Sequence, residues 1–263
     1  MPTSARLPSA IATEPAALPL PEFKDAAVGP TEAAIARHLV ELVRDGDTLQ
    51  FGVGGVPMAV AASLSAHRRL RLFSGMLGSG LKTLWHSGAL APDARIVTGV
   101  LLGDSSLHAL APQLEQLWLT DVRHTHDPEA MGRIPRFIAI NSAVQVDLWG
   151  QVNSERTNGV VQAGAGGLPA FAQGALRSEG GRLIICLPST ARAGQVSRIV
   201  PSLDDASLCT LPRHCVDAVI TEHGTAQLRG VSMQERARQL IRIAAPEHQE
   251  HLETTWYEMA RRL

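Results

Sequence analysis

With 263 residues and 45% hydrophobic side chains, the chain is long enough to bury a sizeable core as one large domain. Its 24 basic and 25 acidic residues leave a formal net charge of -1, which gives no electrostatic case for a nucleic-acid partner. No apolar run of membrane-spanning length is free of charges and breakers, and Cys186, Cys209 and Cys215 are too few and wrongly spaced for a disulfide framework or a four-ligand zinc site, which fits a cytoplasmic protein.

In chain order, residues 1–19 are rich in Ala and Pro and read as a mobile N-terminal arm, with residues 20–263 as the domain. Thr31 precedes a helical pattern of Ala34, Ile35, Leu39, Leu42 and Val43, and Gly46 lies where a C-terminal cap would sit. Thr48 to Val53 is a short buried strand, Pro57 begins a helix through about Ala66, and Leu70 to Phe73 is a second strand. Arg95 to Leu102 and Gln116 to Thr120 are two more, a rhythm that predicts an α/β fold with a mostly parallel, covered sheet. Phe137 to Leu148 is a longer β-rich run that turns at Gly150-Gln151 and continues in Val152 and Val160-Val161, so an antiparallel section is expected there. Arg182 to Leu187 and Ala218 to Thr221 are buried strands. Ser232 to Ile243 and Glu247 to Met259 are amphipathic helices separated by Pro246.

Three loops are candidates for chemistry. Gly52, Gly54 and Gly55 lie between a strand and a helix start, where backbone amides and the helix dipole could meet an anionic ligand; the alternative is a tight turn. Gly164, Gly166 and Gly167 repeat the arrangement before Leu168. Glu222, after the strand at Ala218 to Thr221, is either a carboxylate near a reacting centre or a cap that satisfies backbone. Asn141 and Ser142 end the Phe137 run, as groups that orient a ligand or as turn formers. His124 and His126 stand two apart with no third ligand, so no metal site is expected, and a structural loop is the simpler reading.

These segments together carry a family resemblance. They are Phe51-Gly52-Val-Gly54-Gly55-Val-Pro57, Phe73-Ser74-Gly75-Met76, Ile140-Asn141-Ser-Ala-Val-Gln-Val-Asp-Leu-Trp-Gly-Gln, Leu187-Pro-Ser-Thr-Ala-Arg and Thr221-Glu222-His-Gly. From about Leu20 to about Leu252 the chain resembles the C-terminal domain of the acetyl-CoA hydrolase/transferase family, which includes 4-hydroxybutyrate CoA-transferases. The resemblance implies a CoA-transferase-like fold, CoA or acyl-CoA as substrate, and two glycine loops near CoA. The second of these loops has an amide that helps stabilise the oxyanion. It also implies that Glu222 corresponds to a family glutamate that accompanies the nucleophile, and that the His126-Asp127-Pro128 loop can border the site; Asn141 stands beside them as a candidate site residue.

The family's nucleophile is a glutamate that forms acyl and CoA adducts in turn, and its position holds Gly75 here. Ser74 is adjacent, but no base is evident to activate it. Where the family commonly has Gln and Asp, this chain has Leu168 and Ala170. These departures imply an acyl-CoA-processing enzyme of decarboxylase, lyase or hydrolase type without the glutamyl route, or else a non-catalytic CoA-ester-binding or scaffold subunit. Loss of the glutamate is also expected to open space beside the thioester. Family members carry another α/β half before the matched region, so a homo-oligomer, or a heteromer with a subunit that supplies that half, is expected around the rims of the two glycine loops.

Overall fold

The computed structural model describes residues 21–24, 26–204 and 206–261; the expected arm at 1–19 lies outside them. Eight strands form the main sheet. They are β1 (Thr48–Gln50), β2 (Arg71–Leu77), β3 (Ile96–Leu101), β4 (Leu117–Leu119), β5 (Phe137–Ser142), β10 (Arg182–Cys186), β14 (Ala218–Thr221) and β15 (Gly224–Gln227). Between β5 and β10 the chain makes the short strands β6 (Gln145–Asp147), β7 (Val152–Asn153), β8 (Arg156–Thr157) and β9 (Val160–Val161), and β11 (Thr190–Ala191), β12 (Val196–Ser197) and β13 (Ile199–Val200) follow β10.

The sheet order is β15-β14-β10-β5-β1-β2-β3-β4. All neighbours run parallel except β14 and β15. Period-2 alternation explains how it is covered on both faces. Leu49, Leu72, Ile138 and Ile184 point into one core, with helices α1 (Pro30–Val40), α2 (Gly55–Ser63), α3 (Gly80–His86) and α4 (Ser105–Leu110). Phe73, Phe137, Ala139, Leu183 and Ile185 point into the other, with α6 (Pro128–Gly132), α7 (Leu168–Arg177), α8 (Met233–Arg242) and α9 (Pro246–Ala260). One further short helix, α5 (Val122–Thr125), follows β4.

Several boundaries differ from those read in the sequence. Helix α1 starts at Pro30, whose fixed φ suits the first helical position, with Gly29 as the cap. Gly46 does not cap it; at φ +79° it turns the chain toward β1, and its N–H donates to the Arg68 carbonyl. Pro246 opens α9 rather than only separating two helices. The antiparallel section is present as the pairs β6–β7 and β8–β9, and β14–β15 adds an antiparallel edge that the sequence reading missed. Among the described residues no helix is long and apolar enough to cross a membrane.

The largest difference lies in β2. It continues past Phe73 through Ser74 and Gly75 to Leu77, so Gly75 sits inside a central strand. The β2–β3 ladder pairs Ser74 with Thr98 and Met76 with Val100 but omits Gly75 and Gly99 between them. A Cβ on Gly99 would lie 3.0 Å from the Gly75 carbonyl oxygen, so the two glycines let the backbones come close. On either side a hydroxyl folds back over its glycine: Ser74 Oγ donates to the Met76 carbonyl and Thr98 Oγ1 to the Val100 carbonyl. Beyond the glycines Leu77 packs in the same core as Leu72, an odd number of residues away, so the strand changes face there.

Candidate functional site

Strand order reverses between β1 and β5, and in an open parallel sheet the crevice at the carboxyl ends of the strands beside such a switch point is the usual ligand site. A cavity of about 530 Å³ lies there. It is lined by Gln50 and Gly52 at the end of β1, Gly75 and Met76 on β2, Gly99 and Val100 on β3, and Asn141 and Ser142 on β5. The α5 segment adds Val122, Thr125 and His126, and the entry to α7 adds Gly164, Ala165, Gly167, Leu168 and Phe171.

Two features organise the cavity. Across the switch point Asn141 Nδ2 donates to Gln50 Oε1 at 2.8 Å, tying β5 to β1. Gln50 is the residue that the sequence reading missed; its signal was a polar side chain ending a strand that is buried throughout. Opposite them stands His126. Its ring packs on Phe171 with centroids 4.9 Å apart, and Nδ1 is 2.9 Å from Thr125 Oγ1. The Thr125 hydroxyl in turn reaches the Asp121 carbonyl at 3.4 Å. Burial holds the His126 imidazolium below its ordinary value of 6.5, so the ring is neutral at neutral pH.

His126 also corrects one expectation. Replacement of a glutamate by Gly75 was expected to open space, yet a Cβ built on Gly75 would lie 2.5 Å from His126 Cε1 and 3.2 Å from Phe171 Cζ. A Cβ on Gly167 would lie 2.5 Å from His126 Nε2. The imidazole fills the volume between the two glycines, so the room beside Gly75 is already taken.

A family model described as the acetyl-CoA hydrolase/transferase C-terminal domain matches residues 103–256, more than half of the chain. The chain belongs to the acetyl-CoA hydrolase/transferase family. It is 37% identical over 240 residues to a 4-hydroxybutyrate coenzyme A transferase of Clostridium kluyveri, covering 89% of this chain and 56% of that protein. It is 31% identical over 242 residues to an acetyl-CoA hydrolase of Kluyveromyces lactis, covering 83% of this chain and 44% of that one. Among solved structures, RipA from Yersinia pestis superposes with a TM-score of 0.84 at 31% identity, covering 92% of this chain and 56% of RipA. The chain spans about half the length of the curated relatives it matches.

The expected site residues are not all brought together. Gly52, Gly164, Gly167 and Asn141 line the cavity, whereas Gly54, Gly55 and Gly166 are not in its lining. Gly55 is packed: a Cβ there would meet Glu32 Cγ at 3.2 Å and the Ala27 carbonyl at 3.3 Å. Glu222 stands at the end of β14, outside the lining, where Oε2 accepts from Ser189 N–H at 2.8 Å and Oε1 from Ser189 Oγ at 2.6 Å. It caps the turn after β10, and burial lowers the proton affinity of the half-buried Arg198, an effect that the Glu222 charge opposes. Ser74 is buried, and its Oγ is 2.8 Å from both the Phe51 and Met76 carbonyls, so its proton is committed to backbone. The His124 ring packs against Trp118 at a tilt of 49°, with centroids 4.8 Å apart, and no group of three or more potential metal ligands occurs among the described residues.

Proposed function

We propose that this chain binds a CoA thioester in the β1/β5 cavity and belongs to an acyl-CoA-processing enzyme that does not use a covalent glutamyl-CoA intermediate. Decarboxylation, lyase chemistry or hydrolysis fits that description. The observation that carries it is Gly75: it lines the cavity, supplies no carboxylate, and faces an imidazole. The N–H groups of Gly164, Ala165 and Gly167 donate to no described residue, which leaves them available to an oxyanion. The relatives are a coenzyme A transferase and an acetyl-CoA hydrolase, which supports a CoA ester as the ligand.

Binding is the first test. Calorimetry with CoA, acetyl-CoA and a panel of larger acyl-CoAs is expected to give saturable heat for at least one thioester, weakened when Gly164→Val puts a side chain into the open space beside the loop. No heat and no thermal shift with any of them would reject the reading.

Assembly is the second. Val100, Trp118, Leu119 and Val122 are exposed apolar side chains on the β3–β4 edge and the start of α5, and two of them also line the cavity. An apolar patch beside a ligand site fits a protein partner, either a second copy or a separate subunit. Light scattering at low micromolar concentration is expected to show an oligomer, or a monomer that gains stability with that subunit, and Leu119→Lys is expected to disrupt the assembly. A stable monomer indifferent to both would contradict it. A cytoplasmic location is part of the same proposal.

A further inference from the structure

We infer that His126 is a general base that delivers water to the thioester carbonyl, a role that rests on the CoA-thioester reading above. Its ring fills the volume a side chain at Gly75 would take, with Nε2 2.9 Å from the Gly75 Cβ position and 2.5 Å from that of Gly167. Nε2 therefore lies between the cavity floor and the loop whose amides are unpaired. Nδ1 has the Thr125 hydroxyl as its partner at 2.9 Å, and the base role requires the tautomer in which Nδ1–H donates to Oγ1, the hydroxyl proton goes to the Asp121 carbonyl at 3.4 Å, and Nε2, which makes no hydrogen bond to a described residue, carries the lone pair.

The step balances with water as the only co-reactant. Nε2 takes a proton from water as the water oxygen bonds to the carbonyl carbon, and the carbonyl π pair moves to oxygen beside the amides of Gly164, Ala165 and Gly167. Collapse re-forms the C=O bond and breaks the C–S bond. The departing thiolate takes the proton back from Nε2, giving a carboxylic acid and free CoA. No serine or cysteine is needed. Ser74 is held by backbone carbonyls, and Cys186 is fully buried, with its thiol pushed well above the ordinary range.

The surroundings favour a neutral base. From α5, Asp121 is paired with Arg123, and His124 packs against Trp118; Asp127 caps α6 by accepting from Glu129 N–H. The cavity residues of β2, β3, the Gly164–Gly167 loop and α7 present no titratable side chain to the ring. Since burial lowers the imidazole's affinity for a proton, activity is expected to be full at neutral pH and to fall only as the pH drops through a value below 6.5.

The test follows thiol release from acyl-CoAs by the full chain, in the assembly in which it purifies, with calorimetry run in parallel. The wild type is expected to hydrolyse at least one bound thioester with that low-pH limb. His126→Gln is expected to lower kcat by about a hundredfold or more, with KM changed by less than about threefold and the limb gone. If that variant melts early, His126→Ala with added imidazole supplies the second readout, and partial rescue that follows the free-base concentration is expected. A His126→Gln variant that keeps its kcat, a wild type without the limb, or thioester binding without release above background would each overturn the assignment of His126. Absence of binding would instead overturn the CoA reading itself.

Discussion

Gly75→Glu alone is expected to leave CoA exchange at background and to destabilise the protein, whereas Gly75→Glu with His126→Ala is expected to gain a borohydride-trappable adduct at position 75. The reason is steric. A Cβ at Gly75 lies 2.5 Å from His126 Cε1, closer than real Cβ atoms approach a ring, so the added carboxylate has no place until the imidazole leaves. Overpacking of this kind costs about 1–3 kcal/mol, or a fall of several degrees in Tm for a domain of this size. Removing the ring frees the volume, and the stability cost of Gly75→Glu should be smaller in the His126→Ala background. That non-additivity is the signature of a shared site. Additive effects, with no adduct in the double variant, would show that the carboxylate cannot reach the thioester from this strand. The wild type is expected to trap no reduced residue at position 75 in the same assay.

Asp147→Ala is expected to be the most destabilising single change in the antiparallel section. The Asp147 side chain is fully buried, and its two oxygens accept from Trp149 N–H, Gln151 N–H, Gln151 Nε2 and Leu203 N–H. Burial raises its proton affinity and these four donors oppose the rise, which makes them a set built around a carboxylate. Each buried donor left without a partner costs about 1–3 kcal/mol, so a total loss near 3–5 kcal/mol is expected in chemical denaturation. Asp147→Asn keeps one acceptor oxygen and should fall between. The same segment leads through β7 to Ser154, Gly164 and Ala165 of the cavity, so the alanine variant should also bind acyl-CoA more weakly. A variant within about 1 kcal/mol of wild type would show that water replaces the carboxylate.

The sheet and its coverage were legible because buried parallel strands are short apolar runs, as in Leu183-Ile184-Ile185 and Ala218-Val219-Ile220. The glycine loop before α7 was legible as well, since a glycine run followed by Pro169 announces a helix start. His126 was not. A lone histidine at the end of a four-residue helix has no periodicity, and nothing local in the sequence shows that its ring comes to rest against β2. Gly75 was read as a missing side chain, but its partnership with Gly99, and with the hydroxyls of Ser74 and Thr98, appears only when β2 and β3 are side by side. Glu222 was legible as a carboxylate at a strand end; its choice of Ser189 as partner depends on where the chain turns after β10.

The strand order also sets the sequence of events during synthesis. Strands β1 to β4 leave the ribosome first and can pair among themselves in the order they emerge, since β1, β2, β3 and β4 are successive neighbours. One flank of β1 then stays bare until Phe137–Ser142 emerges to dock there, and throughout that interval a half-built sheet presents an open edge that other nascent chains could join. A pause in translation just before β5 should therefore lower the yield of native protein more than an equal pause after β10, by which time that flank of β1 is sealed.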